Sequence, residues 1–400
     1  MHTPKASAAH LGELFRIFLW LGITSFGGPV AHLGYFREAF VVRRRWLGES
    51  DFADLVALCQ FLPGPASSQV GFAIGLRRGG LPGALVAWCA FTLPSAVALV
   101  LFAAGASALG GELGQALLHG LKLVAVAVVA HAVWGMAGKL CPDLIRAAIA
   151  LIALCLALLL GGAAGQLGAI MMGAGIGLWR CRPVPMLASA HPLTPSRRWS
   201  LPALIVFLVL LLLLPLMAAS GGGAVIAVMA AFYRVGALVF GGGHVVLPLL
   251  EAAVVEPGWV TQSVFVTGYG MAQAVPGPLF TFAAYLGAAM APGTHGWLLA
   301  ALATVMIFLP GMLLLIGVLP HWERLRASAS AQRLIQGTNA AVVGILAAAL
   351  YDPIWQSAIV APLDIVLAAL GFGLLTRCHW PAWRVVVLLV AAAVGIGLVG

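Results

Sequence analysis

Long apolar runs recur along the whole chain, separated by short polar segments. Many of them approach or exceed the roughly 20 residues that a helix needs to cross a bilayer. The clearest are Leu81–Ala106, Leu123–Ala137, Leu201–Ala219, Trp297–Pro320 and Val385–Gly400. No stretch between them resembles a soluble domain. The pattern predicts an all-α polytopic membrane protein with full spans near 82–106, 115–138, 142–160, 164–180, 201–219, 296–319, 335–352, 357–376 and 383–400.

Four further apolar segments are interrupted near their middles by glycine and proline. Leu11–Val41 breaks at a Gly-Gly-Pro motif and Ser50–Gly79 at a Pro-Gly-Pro motif. Segments 223–252 and 260–291 break at Gly-Gly-Gly and at a second Pro-Gly-Pro. Each half has about 12–14 residues, roughly 20 Å of helix, which is too short to cross alone. The pattern favours re-entrant hairpins, with long tilted spans as the alternative.

The chain repeats itself over residues 15–135 and 229–350. Landmarks recur in the same order at nearly constant offsets of 213 to 216 positions, which is stronger evidence than one shared motif. The matched pairs are Phe26 with Phe240, Trp46 with Trp259, Gln60 with Gln273, and Pro94 with Pro310.

Loop charges reverse sign between the two copies. The segment FREAFVVRRRW of the first copy corresponds to LLEAAVVEPGW in the second, which lacks Lys and Arg. After the FxLP helix the first copy has GASALGGELGQ and the second has HWERLRASASAQR. Because basic loops stay cytoplasmic, the copies are predicted to face opposite ways. Inverted repeats of this kind are typical of secondary transporters.

The predicted fold is therefore two inverted-topology repeats, each with two re-entrant or broken helical hairpins plus about four full spans. Residues 1–180 form the first repeat and 221–400 the second. Residues 181–220 supply a basic cytoplasmic linker and the extra span that inverts the second copy.

Composition narrows the class of protein. The 400 residues are 62% hydrophobic and 8% charged, with mean hydropathy +1.07, far from the roughly 25% charged residues of soluble domains. The net charge of +9 lies in short segments between apolar runs, so it orients the protein in the bilayer and does not indicate nucleic acid.

The sequence offers no signal for enzymatic or metal chemistry. The six cysteines show neither CxxC nor CxxxC spacing, so neither a metal site nor a cofactor is expected. Hydrolase and metalloprotease motifs such as GxSxG and HExxH are absent from the sequence, so an intramembrane enzyme is disfavoured. The N-terminus lacks a cleavable signal, and the first apolar run is expected to stay as an anchor.

The broken helices suggest an anion site. Non-helical backbone at membrane depth is tolerated where it is buried in protein or lines a wet cavity. Helices that start after Pro65 and Pro278 would aim free N–H groups at such a site, and helix N-termini bind anions. The alternative is that the glycine and proline motifs only allow close helix packing.

Candidate substrate-binding residues follow from the breaks and from polar residues nearby. Arg234 and Lys122 are intramembrane cations, with snorkelling to the interface as the alternative. His32 and His244 could donate to an anion or carry a proton, and a structural histidine is an equal alternative for each. The set is Gly27, Gly28, Pro29, His32, Gln60, Pro63, Gly64, Pro65, Ser67, Ser68, Gln69, Lys122, Arg234, Gly241, Gly242, Gly243, His244, Gln273, Pro276, Gly277, Pro278 and Thr281.

The paired motifs TSFGGPVAHLGYFREAFV, QFLPGPASSQVGFAIG, FGGGHVVLPLL and AQAVPGPLFTFAAYLG resemble the chromate transporter family. The resemblance covers both halves and all the glycine, proline, glutamine and His32 motif positions above. It implies a multi-pass protein of the bacterial inner membrane that exports chromate and confers chromate resistance. Sulfate, the close structural mimic, is an expected competitor. A sulfate or other oxyanion carrier and a passive channel remain alternatives, and the number of protomers is open, a homodimer included.

The inverted topology predicts opposite sidedness for two exposed loop positions. In a background without native cysteines, Glu256→Cys should react with an impermeant maleimide added outside intact cells, whereas Arg44→Cys should react only after permeabilisation. The reversed loop charges are the physical reason. Equal outside labelling of both positions would refute the inversion.

Overall fold

The computed structural model describes residues 8–106, 111–183 and 197–399, and these contain helices but no β-strand. Residues 1–7 and most of the predicted basic linker, 184–196, lie outside the described residues. In chain order the helices are α1 (Ala8–Thr24), α2 (Gly28–Arg37), α3 (Glu49–Phe61), α4 (Ala66–Ala106), α5 (Gly111–Leu140), α6 (Leu144–Leu160), α7 (Gly162–Arg180), α8 (Ser200–Ala219), α9 (Gly223–Leu238), α10 (Val246–Val254), α11 (Gln262–Ala272), α12 (Phe282–Ala289), α13 (Gly293–Val318), α14 (Trp322–Ala327), α15 (Ala329–Ala349), α16 (Gln356–Ala358), α17 (Pro362–Thr376) and α18 (Ala382–Val399).

Short segments of other helical types extend several of these helices. The π-helical segments are Glu38–Arg43 and Leu350–Trp355, and the 3-10 segments are Arg197–Trp199, Gly243–Val245, Leu279–Thr281 and Leu319–His321.

The membrane architecture predicted from the apolar runs is confirmed in its coarse form. Within the described residues, five helical stretches are long and apolar enough to cross a membrane: Ala66–Ala106, Gly111–Leu140, Ser200–Ala219, Gly293–Ala327 and Ala329–Ala358. Shorter apolar helices accompany them. The exact number of full spans and the inverted relation of the halves stay predictions.

The chain leaves helical geometry at each of the four predicted breaks. α1 ends at Thr24 and α2 starts at Gly28, while α3 ends at Phe61 and α4 starts just after Pro65. In the second half, helix stops at Leu238 and at Ala272 and resumes five and seven residues later as 3-10 turns. α4 also bends at Gly80, whose φ of 62° separates the hairpin arm from the span that follows.

One long helix of each half packs against a helix pair of the other half. α5 of the first half packs against α17 and α18, and α15 of the second half packs against α6 and α7. Within the halves, α1 packs on α4 and α9 packs on α13, while α8 lies against α9 and α13.

Glycines permit the closest of these approaches. A Cβ on Gly344 of α15 would collide with the Ala150 carbonyl of α6, and one on Gly270 of α11 would collide with the Leu121 carbonyl of α5. Small residues serve this purpose in membrane proteins because the helix backbones can approach closely.

We expect Gly344→Val to destabilise the protein by about 1–3 kcal/mol, because the added side chain forces α15 away from α6. The measurement is the melting temperature of detergent-solubilised protein. Gly168→Val on α7 is the control, since nothing lies within 4 Å of its Cβ position and the helix-propensity change is the same. Equal melting temperatures for the two variants would contradict the packing argument.

Candidate functional site

The candidate site is built where the four helix breaks meet. The Gly64 N–H of the first Pro-Gly-Pro loop donates to the Val239 carbonyl at the second half's glycine break, at 2.7 Å. The Gly277 N–H of the second Pro-Gly-Pro loop donates to the Ser25 carbonyl at the first half's break, at 3.0 Å. Each loop is therefore bonded to the break of the opposite half, at matching positions of the repeat.

The loop glycines are required by conformation and by space. Gly64 and Gly277 have φ of 121° and 108°, a region that L side chains rarely adopt. A Cβ on Gly277 would lie 2.7 Å from Ser95 Oγ, and one on Gly64 would lie 3.1 Å from Gly311 Cα. Each loop thus presses against the FxLP region of the opposite half.

The two glycine breaks also touch each other. The Cβ position of Gly243 lies 3.0 Å from Pro29 Cγ and 3.8 Å from Leu279 Cδ2. Pro29 sits in the first turn of α2, where its missing N–H would be unpaired in any case. The prediction that the breaks come together is therefore consistent with the contacts of Pro29, Gly243 and Gly277.

His32 ties the first break to the start of α4. It is 1% exposed, and its Nε2 donates to the Ser25 carbonyl at 3.1 Å, because a carbonyl can only accept. In the neutral ring Nδ1 is then the acceptor, and it receives the Ser67 hydroxyl at 3.3 Å. The ring also meets Phe91 edge-on, with centroids 5.4 Å apart.

Gln69 uses its hydrogen bonds to stabilise the loop and does not offer them to an anion. Its backbone N–H donates to the Pro65 carbonyl at 2.9 Å, so it is not one of the free N–H groups that the sequence suggested. Its side-chain Nε2 donates to the carbonyls of Pro63, at 3.0 Å, and Gly311, at 2.9 Å. The unpaired N–H groups of α4 are those of its first residues, up to Ser68.

The second half presents a different surface at its helix start. Leu279, Phe280 and Thr281 are all buried, and the Thr281 hydroxyl donates to the Pro278 carbonyl at 2.7 Å. His244 Nδ1 shares a 2.7 Å hydrogen bond with the Tyr269 hydroxyl. Near Gly241, the Asn339 side-chain oxygen is buried without a partner, as is Gln273 Nε2.

Three candidates from the sequence make none of the described contacts that join the breaks. The Gln60 side chain is exposed. Arg234 lines a small cavity with Gln166 of α7 and Leu249 of α10. Lys122 is half-buried on α5, and neither cation forms an ion pair within the described residues.

Polar residues of the junction that the sequence did not predict include Ser25 and Thr92. Ser25 is 0% exposed and Thr92 is 3% exposed, and neither hydroxyl has a hydrogen-bond partner. Ser25 stands directly before the FGG motif and Thr92 within the FTLP motif. Both belong to the repeated landmarks, so a polar residue at a repeat landmark was the available signal.

Comparison with known proteins gives a consistent result. The family model described as chromate transporter matches residues 12–179 and 226–396. A chromate transport protein of Pseudomonas aeruginosa is 28% identical over 398 residues, covering 97% of this chain and 91% of that protein. One from Cupriavidus metallidurans is 26% identical, covering 87% and 85%, and a probable one from Synechococcus elongatus is also 26% identical, covering 86% and 84%. No solved structure matches the chain significantly.

Proposed function

This chain belongs to the chromate transporter family, and from that premise we propose that it exports chromate across the bacterial inner membrane and confers chromate resistance. The observation that carries the proposal is the reciprocal pair of backbone hydrogen bonds, Gly64 to Val239 and Gly277 to Ser25. These two bonds support the proposal that all four helix breaks come together at one place. The start of α4 lies there, beside the second half.

The dianion is held near the midplane by helix N-termini, with cations farther along its path. A helix start carries about half a positive charge and offers unpaired N–H groups. Arg234 lies four residues before the end of α9 at Leu238, about 6 Å along the helix axis. Its charge raises the potential along the route to the junction.

Matching contacts in the two halves support the inverted repeat. Gly120 of α5 packs on Val390 of α18, while Gly337 of α15, 217 positions later, packs on Gly173 of α7. Val390 is likewise 217 positions after Gly173. Two bundles related in this way can rock against each other around a central site, which is how many inverted-repeat carriers alternate access.

Ionic groups on the two faces favour a state closed toward the cytoplasm. Arg326 of α14 is 4% exposed and its Nη1 lies 3.1 Å from Asp54 Oδ1 of α3, which joins the halves on the side predicted to be cytoplasmic. Toward the opposite side, Glu251, Glu256 and Asp352 line a cavity of about 220 Å³. The buried ion pair on one side and the open cavity on the other support a state closed toward the cytoplasm.

The membrane potential suffices to drive export. A charge that crosses 100 mV gains about 2.3 kcal/mol, so a dianion leaving an inside-negative cell gains about 4.6 kcal/mol. That corresponds to roughly three decades of concentration. Uptake of the same ion would need coupled cations, whereas export needs none.

We expect radiolabelled chromate to accumulate in everted membrane vesicles energised to be positive inside, because this polarity reproduces the cell's outward driving force. Excess sulfate should inhibit the accumulation only in part. Vesicles without the protein are the control. No accumulation above that control, while labelled sulfate does enter, would assign the protein to sulfate.

Arg234→Gln should lower chromate transport at least tenfold at equal membrane abundance, because the route loses its unpaired cation. Arg234→Lys should retain part of the activity, since the charge stays. Arg43→Gln, which removes an exposed arginine paired with Glu38, is the matched control. Near-normal transport by Arg234→Gln would exclude it from the transport path.

A further inference from the structure

We propose that the oxyanion is bound through three hydroxyls of the first half, those of Ser25, Ser68 and Thr92, with Ser25 and Thr92 as specificity-determining residues. The inference rests on the proposed function, since it names the groups that recognise the transported anion. It departs from a site shared equally between two opposed helix starts.

These three hydroxyls lack hydrogen-bond partners. Ser25, Ser68 and Thr92 are 0%, 3% and 3% exposed, and none of their side-chain oxygens has a hydrogen bond. A buried polar group left unpaired is costly, and native structures leave few of them. Three at one junction indicate that a ligand supplies the missing acceptors.

The contacts of Ser25 and of the start of α4, where Ser68 lies, join them at the junction of the breaks. The Ser25 carbonyl accepts from Gly277 N–H and from His32 Nε2, and His32 reaches Ser67, the neighbour of Ser68.

Thr92 joins the same junction from the other side. Its carbonyl accepts the Ser95 hydroxyl at 3.0 Å, and Ser95 Oγ abuts Gly277. Phe91, the residue before Thr92, packs on the His32 ring. The contacts therefore run from Ser25 through Gly277 to Thr92 and back through His32.

Among the described residues, the second half has no equivalent unpaired hydroxyls, and its unpaired buried donor near the break is the amide of Gln273. The repeat offsets relate Ser25 to Val239, Ser68 to Thr281 and Thr92 to Phe308. Val239 and Phe308 are 0% exposed and apolar, and the Thr281 hydroxyl is already bound to the Pro278 carbonyl. A symmetric fold thus encloses an asymmetric donor set.

The unpaired groups at the junction determine which ligand chemistry fits. Three hydroxyls and the unpaired N–H groups at the start of α4 all donate, and the ligand must therefore accept in several directions. A tetrahedral oxyanion does so with each of its oxygens. Neutral donors at a helix N-terminus are sufficient to bind such an anion.

The test measures anion binding and stability in the same purified protein. Sulfate and chromate titrations, followed by tryptophan fluorescence, should show about tenfold weaker binding for Ser25→Ala and for Thr92→Val, the loss of one hydrogen bond to a charged group. The melting temperature without anion should stay equal or rise, because each change removes an unpaired buried hydroxyl.

Thr304→Val is the matched control. Thr304 lies on α13, is 7% exposed, and its hydroxyl is satisfied by the Ala300 carbonyl at 2.7 Å. We expect this variant to bind anions like the wild type and to melt at a lower temperature. A fold defect and a binding defect are thereby separated.

The outcomes separate the inference from the function on which it rests. If the wild type binds both anions and Ser25→Ala and Thr92→Val bind equally well, the hydroxyl site is overturned while the transport proposal stands. If binding weakens together with a lower melting temperature, these residues are structural and the inference fails. If the wild type binds neither anion, the proposed function and the inference fail together.

Discussion

Backbone that leaves helical geometry inside a bilayer must find its hydrogen bonds elsewhere, and the rest of this structure depends on how that requirement is met. Here the two halves meet it reciprocally. Gly64 donates to the carbonyl of Val239, and Gly277 donates to the carbonyl of Ser25. Since lipid offers no substitute partner, neither hairpin can keep its break without the other half. The same bonds bring the start of α4 beside the break of the opposite half, and that is where we propose that the ligand binds.

The two halves match in their backbone contacts but differ in their side chains at the junction, because helix packing and ligand recognition have different requirements. Matching glycine contacts, such as Gly120 on Val390 and Gly337 on Gly173, keep the helices of both halves equally close. At the junction the side chains diverge, because the unpaired hydroxyls of Ser25 and Thr92 in the first half correspond to Val239 and Phe308 in the second. A carrier needs two bundles that can exchange roles mechanically, but a small ion needs one complete set of donors.

The sequence predicted the backbone of this arrangement better than its chemistry. Helix breaks at Gly-Gly-Pro and Pro-Gly-Pro follow from local rules, because glycine and proline interrupt a helix wherever they are placed. Which N–H groups remain unpaired depends on turn geometry, and so Gln69 was assigned to the anion although its N–H bonds Pro65. The unpaired hydroxyls of Ser25 and Thr92 are visible only once distant segments are packed. Arg234 was predicted from its rarity in a span, which says nothing about the direction in which the helix turns it.

Neutral donors at the junction suit transport better than a direct ion pair would. A dianion in contact with a guanidinium inside a low-dielectric site gains many kcal/mol, and that attraction would have to be broken again at each release. Hydroxyls and a helix start each contribute a smaller interaction energy. Their hydrogen bonds to the ion can be replaced by water one at a time. In the export that we propose, the driving force comes from the membrane potential, and the site needs only enough affinity to replace the hydration of the ion.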